Sequence, residues 1–407
     1  MRALILGMDG YIGWALTCSL KKDGHIVHGV DNLLRRRLVS LEGSASAIEI
    51  KELPDRVDEI NRMYLGINEV TYEQYDITED YESLCNTIRQ FNPDVIFHLA
   101  QMPSAPYSMR SRENCRWTMA HNIGGTLNIL YAMNENCPSA HLVKIGTMGE
   151  YGTPNIPIPE GKCEVVVRGK TNMMHFPRAA ASWYHQTKVH DTHNIRMACS
   201  QWGLKCTDIM QGIVYGNCVE GMRDCRRSDS LKLRTRMDFD QCFGTVIHRF
   251  IVQACIGMPL TVYGNGGQVR SILPLQDSVN CLTLAASNPP EQGESREINQ
   301  FHEYRSIRDL AYVVSVAVHE LTGNTVHIQN IDNPRKEKEG HFYQPIMKVL
   351  PSWGYKNAER IEKVVRCLTI DVMDNADMLK QLKSAIYPTV RWSGDVGQIN
   401  ENERQMK

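Results

Sequence analysis

Tyr184 and Lys188, in the run Tyr184-His185-Gln186-Thr187-Lys188, are the residues whose types and spacing say most about chemistry. Side chains four apart on a helix are neighbours. An ammonium beside a phenol favours the phenolate and lowers a pKa that is ordinarily about 10. Such a pair can accept the proton of a sugar hydroxyl. Thr147 completes the expected catalytic set by hydrogen-bonding that hydroxyl while a carbon-bound hydride passes to a nicotinamide. Lys188 has a second task, gripping the cofactor ribose. A tyrosine four before a lysine is common on helix surfaces, so its weight comes from what accompanies it.

It is accompanied by a nucleotide loop. Gly7, Gly10 and Gly13, with Met8, Asp9, Tyr11 and Ile12 between them, form GxxGxxG. Ala3 to Leu6 reads as a strand and Trp14 to Lys22 as a helix, so the loop offers backbone to a pyrophosphate at a helix N-terminus. His25 to Val30 is a second strand, and Asp31 stands 18 positions beyond Gly13 (31 − 13), near the spacing of a ribose-binding acid. A carboxylate there accepts from both ribose hydroxyls and repels a phosphate, so NAD is expected over NADP. Arg35, Arg36 and Arg37 offer to neutralise a phosphate, but the preferred reading is a solvated basic turn.

The expected cofactor contacts are Gly7, Asp9, Gly10, Tyr11, Ile12, Gly13, Asp31, Asn32 and Arg35, with Tyr184 and Lys188. To these are added Asp76 and Ile77 at the adenine edge, Leu99, Ala100, Gln101, Asn122 and Gln211. Asp76 reads equally as a helix cap.

Further strands are expected at Val70 to Tyr75, Val95 to Leu99, His141 to Ile145 and Lys205 to Met210, and long helices at Asn114 to Asn134 and Ala181 to Trp202. This alternation implies an α/β protein with a Rossmann-type, doubly wound parallel sheet and ligands beyond the carboxyl ends of its strands. Gly7, Asp31, Asp76, Ala100 and Thr147 all fall at such ends. Residues 1–208 are expected to form the NAD-binding domain, with segments near 244–258 and 277–290 returning to it. Residues 209–407 would be largely a smaller, mixed α/β substrate domain. Arg223 to Asp240, carrying Arg223, Arg226, Arg227, Lys232, Arg234 and Arg236, reads as an exposed loop, either solvated or a lid over a phosphate-bearing substrate.

The 407 residues carry 45 basic and 46 acidic side chains, a balance that argues against general nucleic-acid or membrane-surface binding. Thirteen cysteines without a CxxC pair predict free thiols in a reducing compartment and no metal. A first strand at Arg2 leaves no room for a leader, and no run approaches the roughly 18 apolar residues of a membrane span. A cytoplasmic location is expected.

On GxxGxxG, Asp31, the run Gly146-Thr147-Met148-Gly149-Glu150-Tyr151-Gly152 and the Tyr184/Lys188 pair, the chain resembles the extended short-chain dehydrogenases/reductases that act on nucleotide sugars. Four stretches are similar to the UDP-sulfoquinovose synthases within that superfamily: Ser104 to Met109, Gly146 to Ile156, Trp183 to Asp191 and Pro259 to Gly264. The likeness runs from the first strand to about Tyr343. It implies an NAD enzyme that oxidises the glucosyl C4 of UDP-glucose, removes water across C5 and C6, adds sulfite at C6 and returns the hydride. His185 and Glu150 are then the candidates for the base that drives elimination, although His185 reads equally as a residue merely hydrogen-bonded beside the tyrosine. The resemblance also implies substrate contacts from Ser104, Tyr107, Thr147, Met148, Gly149, His185, Gln211, Val262 and Asn299. Arg270 and Arg335 would clamp the diphosphate with guanidinium forks. It implies a homodimer through the two long helices, whose apolar faces would equally pack the sheet.

The chain departs from those synthases at Gln101-Met102-Pro103, where they carry Glu-Gln-Arg, at Met210 in place of Asn, and at Pro274 and Gln276 in place of Asp and Arg. These positions are expected near substrate, and a proline cannot hold a sulfite anion. One alternative is an NDP-hexose 4-epimerase or a 4,6- or 5,6-dehydratase that adds no sulfite. Another is a non-catalytic NAD-binding regulatory protein, against which Thr147, Tyr184 and Lys188 together weigh.

Overall fold

A computed structural model describes residues 1–222, 232–335 and 343–392; Arg223, Arg226 and Arg227 of the charged stretch lie outside them. The strands are β1 (Arg2–Leu6), β2 (Ile26–Asp31), β3 (Thr71–Gln74), β4 (Val95–His98), β5 (His141–Thr147), β6 (Lys162–Val167) and β7 (Lys170–His175) in the first half. There follow β8 (Lys205–Gln211), β9 (Ile213–Tyr215), β10 (Leu260–Tyr263), β11 (Val269–Pro274), β12 (Ser295–Gln300), β13 (Glu303–Ser306) and β14 (Ile328–Ile331). Helices that bear on the site are α1 (Tyr11–Lys22), α2 (Leu34–Leu41), α3 (Leu53–Met63), α4 (Tyr81–Phe91), α5 (Ala105–Met109), α6 (Arg112–Asn136) and α7 (Trp183–Trp202).

Seven strands form one sheet in the order β12-β8-β5-β4-β1-β2-β3, parallel throughout. β1 is apolar from Ala3 to Leu6 because both its faces are covered there. Ala3 and Ile5 join the core beneath α1, and Leu4 and Leu6 alternate into the core beneath α4, α6 and α7. Leu6 lies beside Val30 on one flank and His98 on the other. The order of winding reverses there, which opens a crevice beyond the strand ends. This is the expected Rossmann-type sheet, with β12 as an additional edge strand.

A second core gathers around helices Val246–Cys255, Ile307–Thr322 and Ile361–Met373 and strand β10. Helix Val246–Cys255, near one stretch expected to return to the first domain, places Ile247, Phe250 and Ile251 in this second core. Helix Leu275–Ser287, near the other, packs Val279 and Leu282 against the core that holds Trp14 and Leu16 of α1.

The expectation of an exposed loop fails for residues 233–240. Leu233, Thr235, Met237, Phe239 and Asp240 are fully buried. The strap is sewn to the first domain by Trp14 Nε1 donating to Leu233 O at 2.8 Å and Thr235 Oγ1 donating to Tyr11 O at 2.6 Å. Its charges are paired, since Arg35 and Arg236 both bond Asp238. Among the described residues every cysteine is a free thiol, and no helix is long and apolar enough to cross a membrane.

Candidate active site

The glycine loop follows β1 because nothing larger fits. Gly7 has φ +92°, and a Cβ there would lie 2.6 Å from the carbonyl carbon of Leu99; one on Gly13 would lie 2.0 Å from Gly7 O. Gly7 N donates to Val30 O at 2.8 Å, which holds the turn at the end of β2. Gly7, Gly10, Asp31, Asn32 and Arg35 line one cleft, with Asp76, Ile77, Leu99, Ala100 and Gln101 across from them. Asp31 accepts from Leu33 N at 2.7 Å and Asp9 N at 2.8 Å. Burial and the nearby Asp9 charge push its carboxyl up to about 6. A backbone cradle with no room for side chains and a carboxylate at the end of β2 fit the pyrophosphate and ribose of NAD.

Several expected cofactor residues are also held by partners within the protein. Asp9, 3% exposed, takes two Arg36 nitrogens at 2.6 and 2.9 Å and Arg56 at 2.8 Å, so it braces the loop from behind. Tyr11 donates to Gly216 O at 2.5 Å, and Ile12 packs on the core. Arg35 pairs with Asp238 at 2.8 Å and covers the Phe243 ring. The basic turn is therefore not solvated as expected: Arg35 and Arg36 are spent on carboxylates, and Arg37 is exposed. Asp76 lines the cleft while accepting from Thr78 N and Asn32 Nδ2, and it is not the helix cap it could have been, since Asp80 caps α4 by accepting from Ser83 N. Asn122 clamps the backbone of Met102 from both sides, and Gln211 is occupied by Ser278 and Gln300. His121, which no sequence signal marked, lines the cleft with its ring stacked on Trp117.

Ser182 starts α7 by accepting from His185 N at 3.2 Å, and Tyr184 N donates to Ser108 Oγ at 3.0 Å. Lys188 is 5% exposed; its ammonium donates to Ile145 O at 2.8 Å and to Gln101 Oε1. Gln101 thereby joins the Tyr184/Lys188 pair to the cleft. The expected lowering of the tyrosine does not hold for the protein alone. Burial pushes the Tyr184 phenol well up, with Lys144 opposing and Glu150 and Asp191 adding to the rise. The physical reason is that Lys188 Nζ stands 5.8 Å from the ring centroid with its protons given to other acceptors.

Thr147 ends β5 with Oγ1 accepting from Gly149 N at 3.1 Å. His185 Nδ1 meets Ser182 Oγ at 2.9 Å. Burial, then Arg335, Arg270 and Lys188, depress His185 to about 3, so its imidazole is neutral at physiological pH. That influence brings Arg270 and Arg335 to the same end of α7. A Cβ on Gly149 would lie 2.4 Å from His185 Nε2. Gly149→Ala is therefore expected to displace the ring and cut kcat roughly 100-fold with NAD affinity unchanged, as steady-state kinetics and a binding titration would show.

None of the remaining expected residues lines that cleft. Glu150 is fully buried; its carboxylate accepts from Thr192 Oγ1 at 3.0 Å and lies 3.8 Å from Lys144 and 3.9 Å from Arg178. It is a charge locked under β5, which removes it as the elimination base. Met148 is core, Ser104 caps α5 and donates to Cys242 O, and the Tyr107 ring packs near Trp117 and Phe243. Val262 is fully buried in the second core. Asn299 donates to Ile158 O and Ile346 O and accepts from Tyr151. Of the departures, Met102 and Pro103 line the cleft with Gln101, whereas Met210 is core and Pro274 is buried at the end of β11. Gln276 bonds Glu220 N and Asn280 beside a separate cavity near Ser19 and Lys22. It is not the near-substrate position expected.

Residues 3–299 match the NAD dependent epimerase/dehydratase family. A UDP-sulfoquinovose synthase of Sulfolobus acidocaldarius is 42% identical over 393 residues, 96% of this chain and 98% of that protein. The chloroplastic UDP-sulfoquinovose synthase of Spinacia oleracea is 40% identical over 396 residues, covering 96% of this chain and 79% of the relative. Among solved structures, a UDP-glucose 4-epimerase from Thermotoga maritima with UDP-glucose superposes with TM-score 0.65 at 17% identity, over 92% of this chain and 99% of that one. That last likeness is one of fold. With an NAD-shaped cleft, a tyrosine and lysine beside it, and relatives of this identity over nearly its whole length, the chain belongs to the NAD dependent epimerase/dehydratase family and is an NAD-dependent enzyme similar to the UDP-sulfoquinovose synthases.

Proposed function

We propose that this enzyme alters the hexose of a UDP-sugar by transient oxidation at C4, forming UDP-sulfoquinovose from UDP-glucose and sulfite. The observation that carries the reading is the Lys188 ammonium bonded to Gln101 of the cleft with the Tyr184 ring centroid 5.8 Å away, in a chain 42% identical to a UDP-sulfoquinovose synthase. Bound NAD supplies the hydride acceptor and later gives the hydride back. Tyr184 accepts the C4 hydroxyl proton, and Thr147 orients that hydroxyl. Lys188, 5.8 Å from the phenol ring centroid, and the positive charge that oxidised nicotinamide would add when bound oppose the rise that burial imposes on the phenol. Arg270 and Arg335 hold the diphosphate. Its charge offsets theirs and relieves part of the downward shift on His185, which then serves as acceptor for the C5 proton once C4 is a ketone.

Met102 and Pro103 in the cleft favour a second reading, epimerisation or dehydration of a related UDP-hexose without sulfite, because neither side chain can bind an anion. Incubating the enzyme with NAD, UDP-glucose and sulfite, followed by mass spectrometry for sulfonated or dehydrated products and proton NMR for the configuration at C4, decides between them. A sulfonated sugar nucleotide is expected. An epimerised or dehydrated product alone selects the second reading, and an unchanged set of UDP-hexoses overturns both. The proposal includes a homodimer through α6 and α7, supported by the exposed Tyr131 and Met197 on them. It also includes a cytoplasmic location, supported by buried free thiols that suit a reducing compartment.

A further inference from the structure

The Lys188 ammonium rests on a polar seat that the roles above leave unused. Gln101 accepts from Lys188 Nζ through Oε1, and its Nε2 donates to Asp191 Oδ2 at 2.5 Å and to Thr126 Oγ1 at 3.2 Å. These partners fix the amide's orientation, because only an oxygen can face the ammonium and only an NH2 can face the carboxylate. Asp191 lies on α7 three positions after Lys188 and is fully buried. Burying a carboxylate is costly unless it is bonded or stabilises a nearby cation.

We propose that Gln101 and Asp191 are positioning residues for the reaction, the amide fixing where the Lys188 ammonium sits and the carboxylate keeping it charged. The inference rests on the Tyr184/Lys188 reading above and adds to it two side chains that act only through Lys188.

The surrounding charges show why a dedicated acid is needed. Burial, then Lys144 on β5, lower Lys188 to about 8, while Asp191, Glu150 and Asp208 oppose them. His98 on β4 and His185 on α7 are both held neutral, in part by Lys188 itself. Glu150 and Asp208 stand 3.8 and 3.1 Å from Lys144 and are largely spent on it. Asp191 reaches Lys188 through Gln101. Without that negative charge the ammonium loses its proton at lower pH, so the alkaline limit of turnover must move down. Carrying the charge on position 101 must move it back.

The test is the titration of Lys188 in NAD-loaded enzyme with carbon-13-labelled lysine, its resonance assigned by its loss in Lys188→Arg. Asp191→Asn is expected to lower the titration midpoint by about one pH unit and to lower the alkaline limb of the kcat profile with it. The double variant Asp191→Asn with Gln101→Glu is expected to restore both. Gln101→Met serves as an independent variant: it removes an acceptor from the ammonium without changing formal charge, and is also expected to lower the midpoint. An unshifted midpoint in whichever of these variants folds overturns the proposal. Shifted midpoints in an enzyme that turns over no UDP-sugar leave the seat standing and refute the Tyr184 reading instead.

Discussion

Tyr184→Phe is expected to lower kcat by about 1,000-fold, the usual contribution of a positioned proton acceptor, while NAD affinity stays within about threefold. The ring remains, so the packing against His185 persists, as does the backbone bond from residue 184 to Ser108 Oγ at 3.0 Å. Only the acceptor is lost. The glycine loop, Asp31 and the Lys188 seat stay intact, because the bonds of Asp31 to Leu33 N and Asp9 N and of Lys188 to Gln101 and Ile145 O do not involve the phenol. Turnover followed by product mass spectrometry, alongside an NAD titration, checks both halves. Near-normal turnover would remove Tyr184 from the chemistry, and lost NAD binding would make it a cofactor contact first.

The largest effect on stability is expected from Asp9→Ala. Asp9 and Arg56 are 3% and 1% exposed, and Arg36 grips the same carboxylate with two nitrogens. Removing the carboxylate leaves Arg56 buried with a distant carbonyl, Arg234 O at 3.3 Å, and the face of Trp14. Breaking a buried pair in this way costs about 3–5 kcal/mol. Urea denaturation would read the loss directly. NAD binding should weaken in parallel, since Asp9 sits inside the loop between Gly7 and Gly10 and its backbone N–H orients Asp31 at 2.8 Å. A loss below about 1 kcal/mol would mean the two arginines find other partners or water.

The sheet and its cleft were legible because their signals are local. β1 is an unbroken apolar run from Ala3 to Leu6, the glycines follow it at once, and Asp31 closes the next strand at the expected spacing. β12 was not legible, since Ser295–Gln300 carries Arg296, Glu297, Asn299 and Gln300, polar residues whose burial depends on partners far away in sequence. Glu297, for example, is buried against Arg178 and Arg196. The same limit explains the strap at 233–240. Arg236 and Asp238 belong to a stretch that reads as exposed, yet Asp238 pairs both with Arg236 and with Arg35, a partner 203 positions away. Glu150 lies in the right turn of the right motif, but a sequence does not give the direction of a carboxylate. Here Thr192 and Lys144 draw it under the sheet. Asn299, Val262 and Gln276 were misplaced for that reason too, each turned inward by neighbours no local pattern reveals.

Reversible hydride removal from sugar C4 is tested most directly by mixing NAD-loaded enzyme with UDP-glucose in the absence of sulfite, using substrate with hydrogen or deuterium at C4, and following the absorbance of reduced nicotinamide. The account predicts that reduced nicotinamide appears on the enzyme, more slowly with deuterium, and that Tyr184→Phe suppresses it. Product formed from bound UDP-glucose with no reduced nicotinamide and no isotope effect would contradict it.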